Sequence, residues 1–148
     1  MQEHFEQFAA LISGIYGNIK KLKMAYTEEL GLKEVHIFWL YLLRTHPEGM
    51  TASEIASACR TNRSLVSRDI KELLEEDIVY TDENTGRRRY GWKFYLTDKG
   101  RKLAGRISDI AAGVQAQVSG EIDSEDLAVF YKTLRTLSDN FDKLTFEK

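Results

Sequence analysis

The stretch from Thr51 to Leu103 decides the fold, and it reads TASEIASACRTNRSLVSRDIKELLEEDIVYTDENTGRRRYGWKFYLTDKGRKL. Its beginning predicts a short helix that opens with a capping box, in which the Thr51 side chain accepts from the Glu54 amide and Glu54 reaches back. A polar turn follows at Arg60, and Asn62 is a good N-cap for a second helix. Two short helices joined by a three-residue turn are typical of a helix-turn-helix.

The second helix, about Arg63 to Glu76, has two chemically different faces. One face is an apolar stripe that would pack on a core, formed by Val66, Ile70, Leu73 and Leu74. The opposite stripe alternates small hydroxyls with cations, a mixture that suits a helix entering a major groove about 12 Å wide. We predict that the N-cap and five side chains of this helix contact DNA: Asn62, Arg63, Ser64, Ser67, Arg68 and Lys71.

After Ile78 the apolar pattern changes to that of β-strands. Val79–Thr81 is rich in strand formers, and Trp92, Phe94 and Leu96 alternate with polar or aromatic neighbours. The turn between these segments contains Asn and Gly, which favour a hairpin. Arginines on such a hairpin suit the narrow minor groove or the flanking phosphates. We therefore predict a DNA-contacting wing that carries Arg87, Arg88 and Arg89.

Helices with narrow apolar seams flank this stretch on both sides. Apolar residues recur at spacings of three and four over residues 5–26 and again over 127–144, which is typical of helices that pair. We expect self-dimerisation, and packing of the two ends on each other within one chain is the alternative. The predicted interface residues are Phe5, Phe8, Ile12, Leu134, Leu137, Phe141 and Leu144. The segment 35–43, VHIFWLYLL, is apolar nearly all round and predicts a buried central helix.

Charge is distributed unevenly along the 148 residues. The net charge is −2, yet residues 60–106 hold twelve Lys or Arg against eight Asp or Glu, so a polyanion would meet a locally basic region. A single cysteine excludes an internal disulfide, and neither a secretory signal nor an apolar run of about 18 residues is visible. These features favour a soluble, cytoplasmic protein.

The stretch quoted above resembles the winged-helix core of the MarR family of transcriptional regulators. Leu96 to Leu103, LTDKGRKL, is similar to the family's Leu-Thr-x-x-Gly signature, and the long flanking helices match those through which the family dimerises. The resemblance implies a mainly α fold with a small β-hairpin wing, in a single domain over 1–148. Within it, 33–103 would be the winged helix-turn-helix, and 1–32 with 104–148 the dimerisation region. Ser64, Ser67, Arg68, Arg88 and Arg89 match DNA-contacting positions of the family.

Three departures from the family pattern stand out. The family commonly has Gly where this chain has Arg60, and a Gly-Leu pair where this chain has Asp77-Ile78. Its wing often has an Asp close before the Arg, whereas the nearest upstream acids here are Asp82 and Glu83. The wing register is therefore open by about one residue, and so is the identity of the principal wing arginine.

Chemistry of other kinds finds little support in the sequence. Nucleophile–base pairs, phosphate-binding glycine loops and metal-ligand spacings are missing, so we predict neither an enzyme nor a cofactor or metal. Cys59 falls on the predicted buried face of the first short helix, which favours a core residue over an oxidant sensor. A small apolar or aromatic effector would fit best near Tyr16, His36 and Trp39, with plain helix packing as the alternative.

We therefore expect a sequence-specific, double-stranded-DNA-binding transcriptional regulator. We expect a ligand-responsive repressor that binds a pseudo-palindromic operator as a homodimer. The alternative is that it activates transcription. The alternative function is a winged-helix protein-interaction module without specific DNA binding.

Overall fold

The computed structural model describes residues 2–82 and 91–144, which form helices and a small sheet. The mainly helical fold class is as predicted. In chain order the elements are α1 (Gln2–Leu30), α2 (Glu34–Thr45), β1 (Met50–Thr51), α3 (Ala52–Ala58), α4 (Arg63–Glu75), β2 (Val79–Thr81), β3 (Lys93–Leu96), α5 (Asp98–Ser119) and α6 (Ser124–Asp142).

The sheet is antiparallel, with β3 between β1 and β2. Val79 lies opposite Leu96 in the β2–β3 pair, which is the base of the predicted hairpin. Met50 lies opposite Phe94 in the β1–β3 pair, which the sequence did not predict. A strand of two residues is too short to show the alternation by which strands are recognised.

The core lies between α2, the helix-turn-helix and the sheet. Its fully buried side chains come from each of these elements and include Leu40, Ile55, Ile70, Leu73 and Val79. Burial of this kind contributes about 1.5–3 kcal/mol per large aliphatic side chain, so the core fixes α4 against the sheet.

Helix α2 is buried on one face only, which corrects the prediction of a buried central helix. Trp39 and Leu40 belong to the core, but Val35, Phe38 and Tyr41 are exposed. These three residues follow one another at intervals of three, which places them on the opposite side of the helix. The rings of Phe38 and Tyr41 stack there with centroids 5.9 Å apart.

The start of α5 is anchored to the start of β2. Thr97 Oγ1 donates to the carbonyl oxygens of Asp77 and Ile78, and it accepts from the Gly100 amide at 3.0 Å. A Cβ on Gly100 would lie 2.1 Å from the Ile78 oxygen, so only glycine permits this close approach. The Leu-Thr-x-x-Gly pattern therefore joins the sheet to the next helix.

The chain divides into two compact units, Met1–Ser108 and Asp109–Lys148. The first contains the helix-turn-helix and the sheet. In the second, Asp123 caps α6 by accepting from the Glu125 amide at 2.8 Å. Among the helices of the described part of the chain, none is both long and apolar enough to cross a membrane.

Candidate nucleic-acid interface

Helix α3 begins with the capping box predicted from the sequence. The Glu54 amide donates to Thr51 Oγ1 at 3.2 Å, and the Thr51 amide donates to Glu54 Oε2 at 2.7 Å. The second of these bonds, above all, holds the pKa of the Glu54 carboxyl below its ordinary value. The ionised carboxylate thereby stabilises the first turn of α3, the helix that precedes α4.

The turn between α3 and α4 is built from two backbone devices. Arg60 adopts a left-handed conformation with φ of 53°, and the Thr61 amide donates back to the Ala56 carbonyl oxygen at 3.0 Å. Asn62 Oδ1 then accepts from the Leu65 amide at 2.9 Å and caps α4, as predicted. Arg60 occupies a position where the resembled family has Gly, and its positive φ explains that preference.

Helix α4 presents the two faces that the sequence predicted. Val66, Ile70 and Leu73 are buried in the core. A groove of about 570 Å³ runs between α4 and the sheet, and Ile70 and Leu74 of the apolar stripe also line it. The predicted recognition residues that line this groove are Arg63, Ser64, Ser67, Arg68 and Lys71.

The second wall of the groove comes from the sheet. Thr81, Trp92 and Phe94 line it opposite the α4 side chains. Sequence reasoning assigned Trp92 and Phe94 to strand packing and did not assign Thr81 to the site. The signal was weak, because strand alternation tells which residues share a face but not which helix that face meets.

The wing arginines lie outside the described residues. Arg87, Arg88 and Arg89 fall within 83–90, so their contact with DNA stays a prediction. The base of the wing is described: the Lys93 amide donates to Asp82 Oδ1 at 2.7 Å. This bond joins the last described residue before the wing to the first residue of β3.

Arg68 is held by its neighbour on α4. Its Nε donates to Asp69 Oδ1 at 2.8 Å, while its side chain remains 70% exposed. This hydrogen bond holds the pKa of the Asp69 carboxyl below its ordinary value. The guanidinium is therefore both paired and open to solvent at the groove.

The exit from α4 also adopts a left-handed conformation. Asp77 has φ of 55°, and the Ile78 amide donates to the Leu73 carbonyl oxygen at 2.8 Å. Lys99 Nζ donates to the Glu76 carbonyl oxygen at 2.6 Å, which ties α5 to the same helix end. At Asp77 the resembled family has the Gly of its Gly-Leu pair, and the backbone again explains that glycine.

The three predicted effector-site residues differ in exposure. His36 and Trp39 are buried in α2 with ring centroids 5.5 Å apart, whereas Tyr16 on α1 is 66% exposed. Within the described residues, His36 Nε2 is buried without a hydrogen-bond partner. Burial lowers the pKa of His36, and the carboxylate of Glu72 opposes that shift. An effector at these residues stays a prediction.

Cys59 sits at the end of α3, half-buried against the core. Burial raises the pKa of its thiol, and a hydrogen bond with Trp39 opposes this shift. A thiol with a raised pKa holds little thiolate at neutral pH, so these features favour a core residue over a reactive one.

The predicted dimerisation residues present apolar surface. Phe8 and Leu134 are half-buried, and the others are exposed: Phe5, Ile12, Leu137, Phe141 and Leu144. Helix α6 has no buried residue, although its apolar seam repeats at intervals of three and four. Large apolar side chains that remain exposed along a seam of this spacing favour burial against another protein surface.

Comparison with known proteins extends these observations. No protein-family model matches the chain. Over 141 residues it is 27% identical to the HTH-type transcriptional regulator TcaR of Staphylococcus aureus (strain Newman), covering 93% of this chain and 91% of that protein.

Solved structures share the fold. A MarR transcriptional regulator from Methanosarcina mazei Go1 superposes with a TM-score of 0.76 at 19% identity, covering 95% of this chain and 99% of that one. The S. aureus MepR–DNA complex superposes with a TM-score of 0.77 at 18% identity, covering 90% and 97%. The chain therefore shares the winged helix-turn-helix fold of these two structures.

Proposed function

We propose that the chain is a sequence-specific double-stranded-DNA-binding transcriptional regulator. The observation that carries the proposal is the groove-facing stripe of α4. Its cations and hydroxyls project from a helix that is capped at its start and buried on its opposite face. A rigid helix with this mixture of side chains can place hydroxyls near base edges and cations on guanines or phosphates.

The proposal includes a homodimer and a pseudo-palindromic operator. The exposed apolar seams of residues 1–32 and 104–148 would pair two copies, and 33–103 would supply one DNA-binding half each. Two recognition helices related by a two-fold axis read half-sites about one helical turn, or ~34 Å, apart. Such a regulator acts on chromosomal DNA, so the proposal also places it in a bacterial cytoplasm.

Control by a small molecule is the third part of the proposal. A bound dimer over a promoter would block polymerase sterically and thus repress transcription. A small apolar or aromatic effector near Tyr16, His36 and Trp39 would release the dimer by favouring a different spacing of the recognition helices. Because α2 supplies two of these residues and shares one buried core with α4, it is the element best placed to transmit such a change.

The competing function is a protein-interaction module that does not read DNA. The stripe of Arg63, Arg68 and Lys71 beside two serines argues against it, because three cations on one helix face favour a polyanionic partner such as DNA. Enzyme function has no support from the described residues: the side chains that line the groove contain no base beside a nucleophile. The DNA-binding proposal is therefore the one to test.

Selection from a random-sequence duplex library tests the proposal. We expect enrichment of an inverted repeat with half-site centres about 10 base pairs apart. Ser67→Glu places a carboxylate in the groove and should abolish the enrichment, whereas Glu75→Gln, at the end of α4 and outside the groove lining, should not. A library that stays random with the unmodified protein would favour the interaction module instead.

A further inference from the structure

Asp69 and Arg68 make a contact that their positions on α4 do not favour. Consecutive residues on a helix point in different directions and rarely face each other. Here the Arg68 Nε nevertheless donates to Asp69 Oδ1 at 2.8 Å. Asp69 does not line the groove, and its side chain is only 25% exposed.

The other charged side chains near Asp69 do not compete with Arg68 for its carboxylate. Lys33, which precedes α2, forms its ion pair with Glu72 one turn further along α4. Lys33, His36 and Arg68 all favour the ionised form of Asp69, and the hydrogen bond from Arg68 is the largest of these effects. The Asp69 carboxylate is therefore charged at neutral pH and is bonded to the cation beside it.

The bond to Asp69 affects how the Arg68 guanidinium can bind a DNA base. Arginine has five N–H donors, and the bond to Asp69 uses the one on Nε. The outer edge formed by the two Nη groups can still bind guanine O6 and N7 in a bidentate manner. A side chain already held by one bond loses less rotamer freedom when it binds a base.

The same carboxylate opposes a competing contact. A phosphate that approached Arg68 would also approach the negative charge of Asp69, and the repulsion would offset part of the attraction. Phosphate contacts supply most of the non-specific affinity of proteins for DNA. A carboxylate beside a recognition arginine therefore penalises the wrong contact as well as favouring the right one.

We propose that Asp69 is a positioning residue that directs Arg68 to a base edge in the major groove and restrains it from binding phosphate. The inference rests on the proposed function, and it makes Asp69 a determinant of sequence specificity although it is an acid in a DNA-facing helix. An ordinary exposed ion pair would contribute little to stability and nothing to selectivity.

The test is a double-mutant cycle measured on DNA. The unmodified protein, Arg68→Ala, Asp69→Ala and the double variant are titrated by fluorescence anisotropy. The probes are a duplex selected from a random library by the unmodified protein and a scrambled duplex of equal length, each across a salt series. Glu75→Ala is the matched control, because it removes an acid from the same helix outside the groove lining. Thermal melts confirm that each variant folds.

The proposal predicts three results. Asp69→Ala weakens binding to the selected duplex about tenfold, as Arg68→Ala does, and the double variant is no weaker than Arg68→Ala. On the scrambled duplex, Asp69→Ala binds at least as tightly as the unmodified protein, and its salt dependence steepens by about one phosphate contact. Glu75→Ala retains the preference for the selected duplex.

Two results would overturn the proposal while leaving DNA binding intact. One is an unchanged preference of Asp69→Ala for the selected duplex. The other is additive losses in the double variant, which would mean that Asp69 does not act through Arg68. If the unmodified protein shows no preference for any duplex, the proposed function fails and this inference fails with it.

Discussion

Gly100 provides the sharpest test of how the sheet is joined to the helices. In Gly100→Ala the added Cβ would lie 2.1 Å from the Ile78 carbonyl oxygen. A carbon–oxygen contact needs about 3.3 Å, so the start of α5 has to move by about 1.2 Å. That carbonyl also accepts from the Thr97 amide at 3.1 Å and from Thr97 Oγ1 at 3.0 Å, so the movement strains both bonds.

The expected cost follows from these contacts. Overpacking costs about 1–3 kcal/mol, and weakening two partly exposed hydrogen bonds adds about 1 kcal/mol. Alanine in a helix returns up to about 1 kcal/mol, so the net destabilisation is about 1–3 kcal/mol. For a chain of this length, the melting temperature should fall by about 3–10 °C.

A thermal melt by circular dichroism at one fixed protein concentration measures the effect, since the melting temperature of a dimer depends on concentration. Gly105→Ala, in the same helix with nothing within 4 Å of its Cβ position, is the matched control and should melt at the same temperature or slightly above the unmodified protein. If Gly100→Ala melts no lower than Gly105→Ala, the close approach to Ile78 does not hold and the reasoning is refuted.

Three further predictions concern the turn, the buried histidine and the apolar seam. Asp77→Gly should raise the free energy of unfolding by about 0.5–1 kcal/mol in urea titration, because φ is 55° there, whereas Asp77→Ala, which keeps the left-handed strain, should not raise it. Burial lowers the pKa of His36, so the unfolded chain takes up its proton first and stability is lost as the pH falls below about 6.5. In urea titrations from pH 7.5 to 5.5, the free energy of unfolding should fall less in His36→Gln than in the unmodified protein. An equal fall in the two proteins would contradict this role of His36. Leu137→Asp should convert the proposed dimer to monomers in light scattering and weaken operator binding, whereas a variant that stays dimeric would place the interface elsewhere.

The helix-turn-helix was predictable because its signals are local. The capping box at Thr51 and the N-cap at Asn62 each fix a helix start within four residues, and the two-faced pattern of α4 fixes its orientation. The predicted strands of the hairpin were found for the same reason. Strand β1 was missed because two residues carry no periodicity, and the exposure of Phe38 was missed because an apolar residue does not reveal whether its face is covered.

The candidate site, like the fold, was predictable only where its signals are local in the sequence. The five groove residues of α4 follow from helical periodicity, and the structure brings them together. The opposite wall at Thr81 and the bond between Arg68 and Asp69 depend on packing and on side-chain conformation, which the sequence pattern does not encode. The glycine positions of the resembled family became intelligible only once Arg60 and Asp77 were seen with positive φ.

The measurement that tests the central claim most directly is binding of the unmodified protein to a selected duplex and to a scrambled one, followed by fluorescence anisotropy across a salt series. If α4 reads base edges, the selected duplex binds about 10³-fold more tightly or better at physiological salt, and affinity for both duplexes rises as salt falls. Equal affinity for the two duplexes at every salt concentration would contradict sequence-specific recognition by this groove.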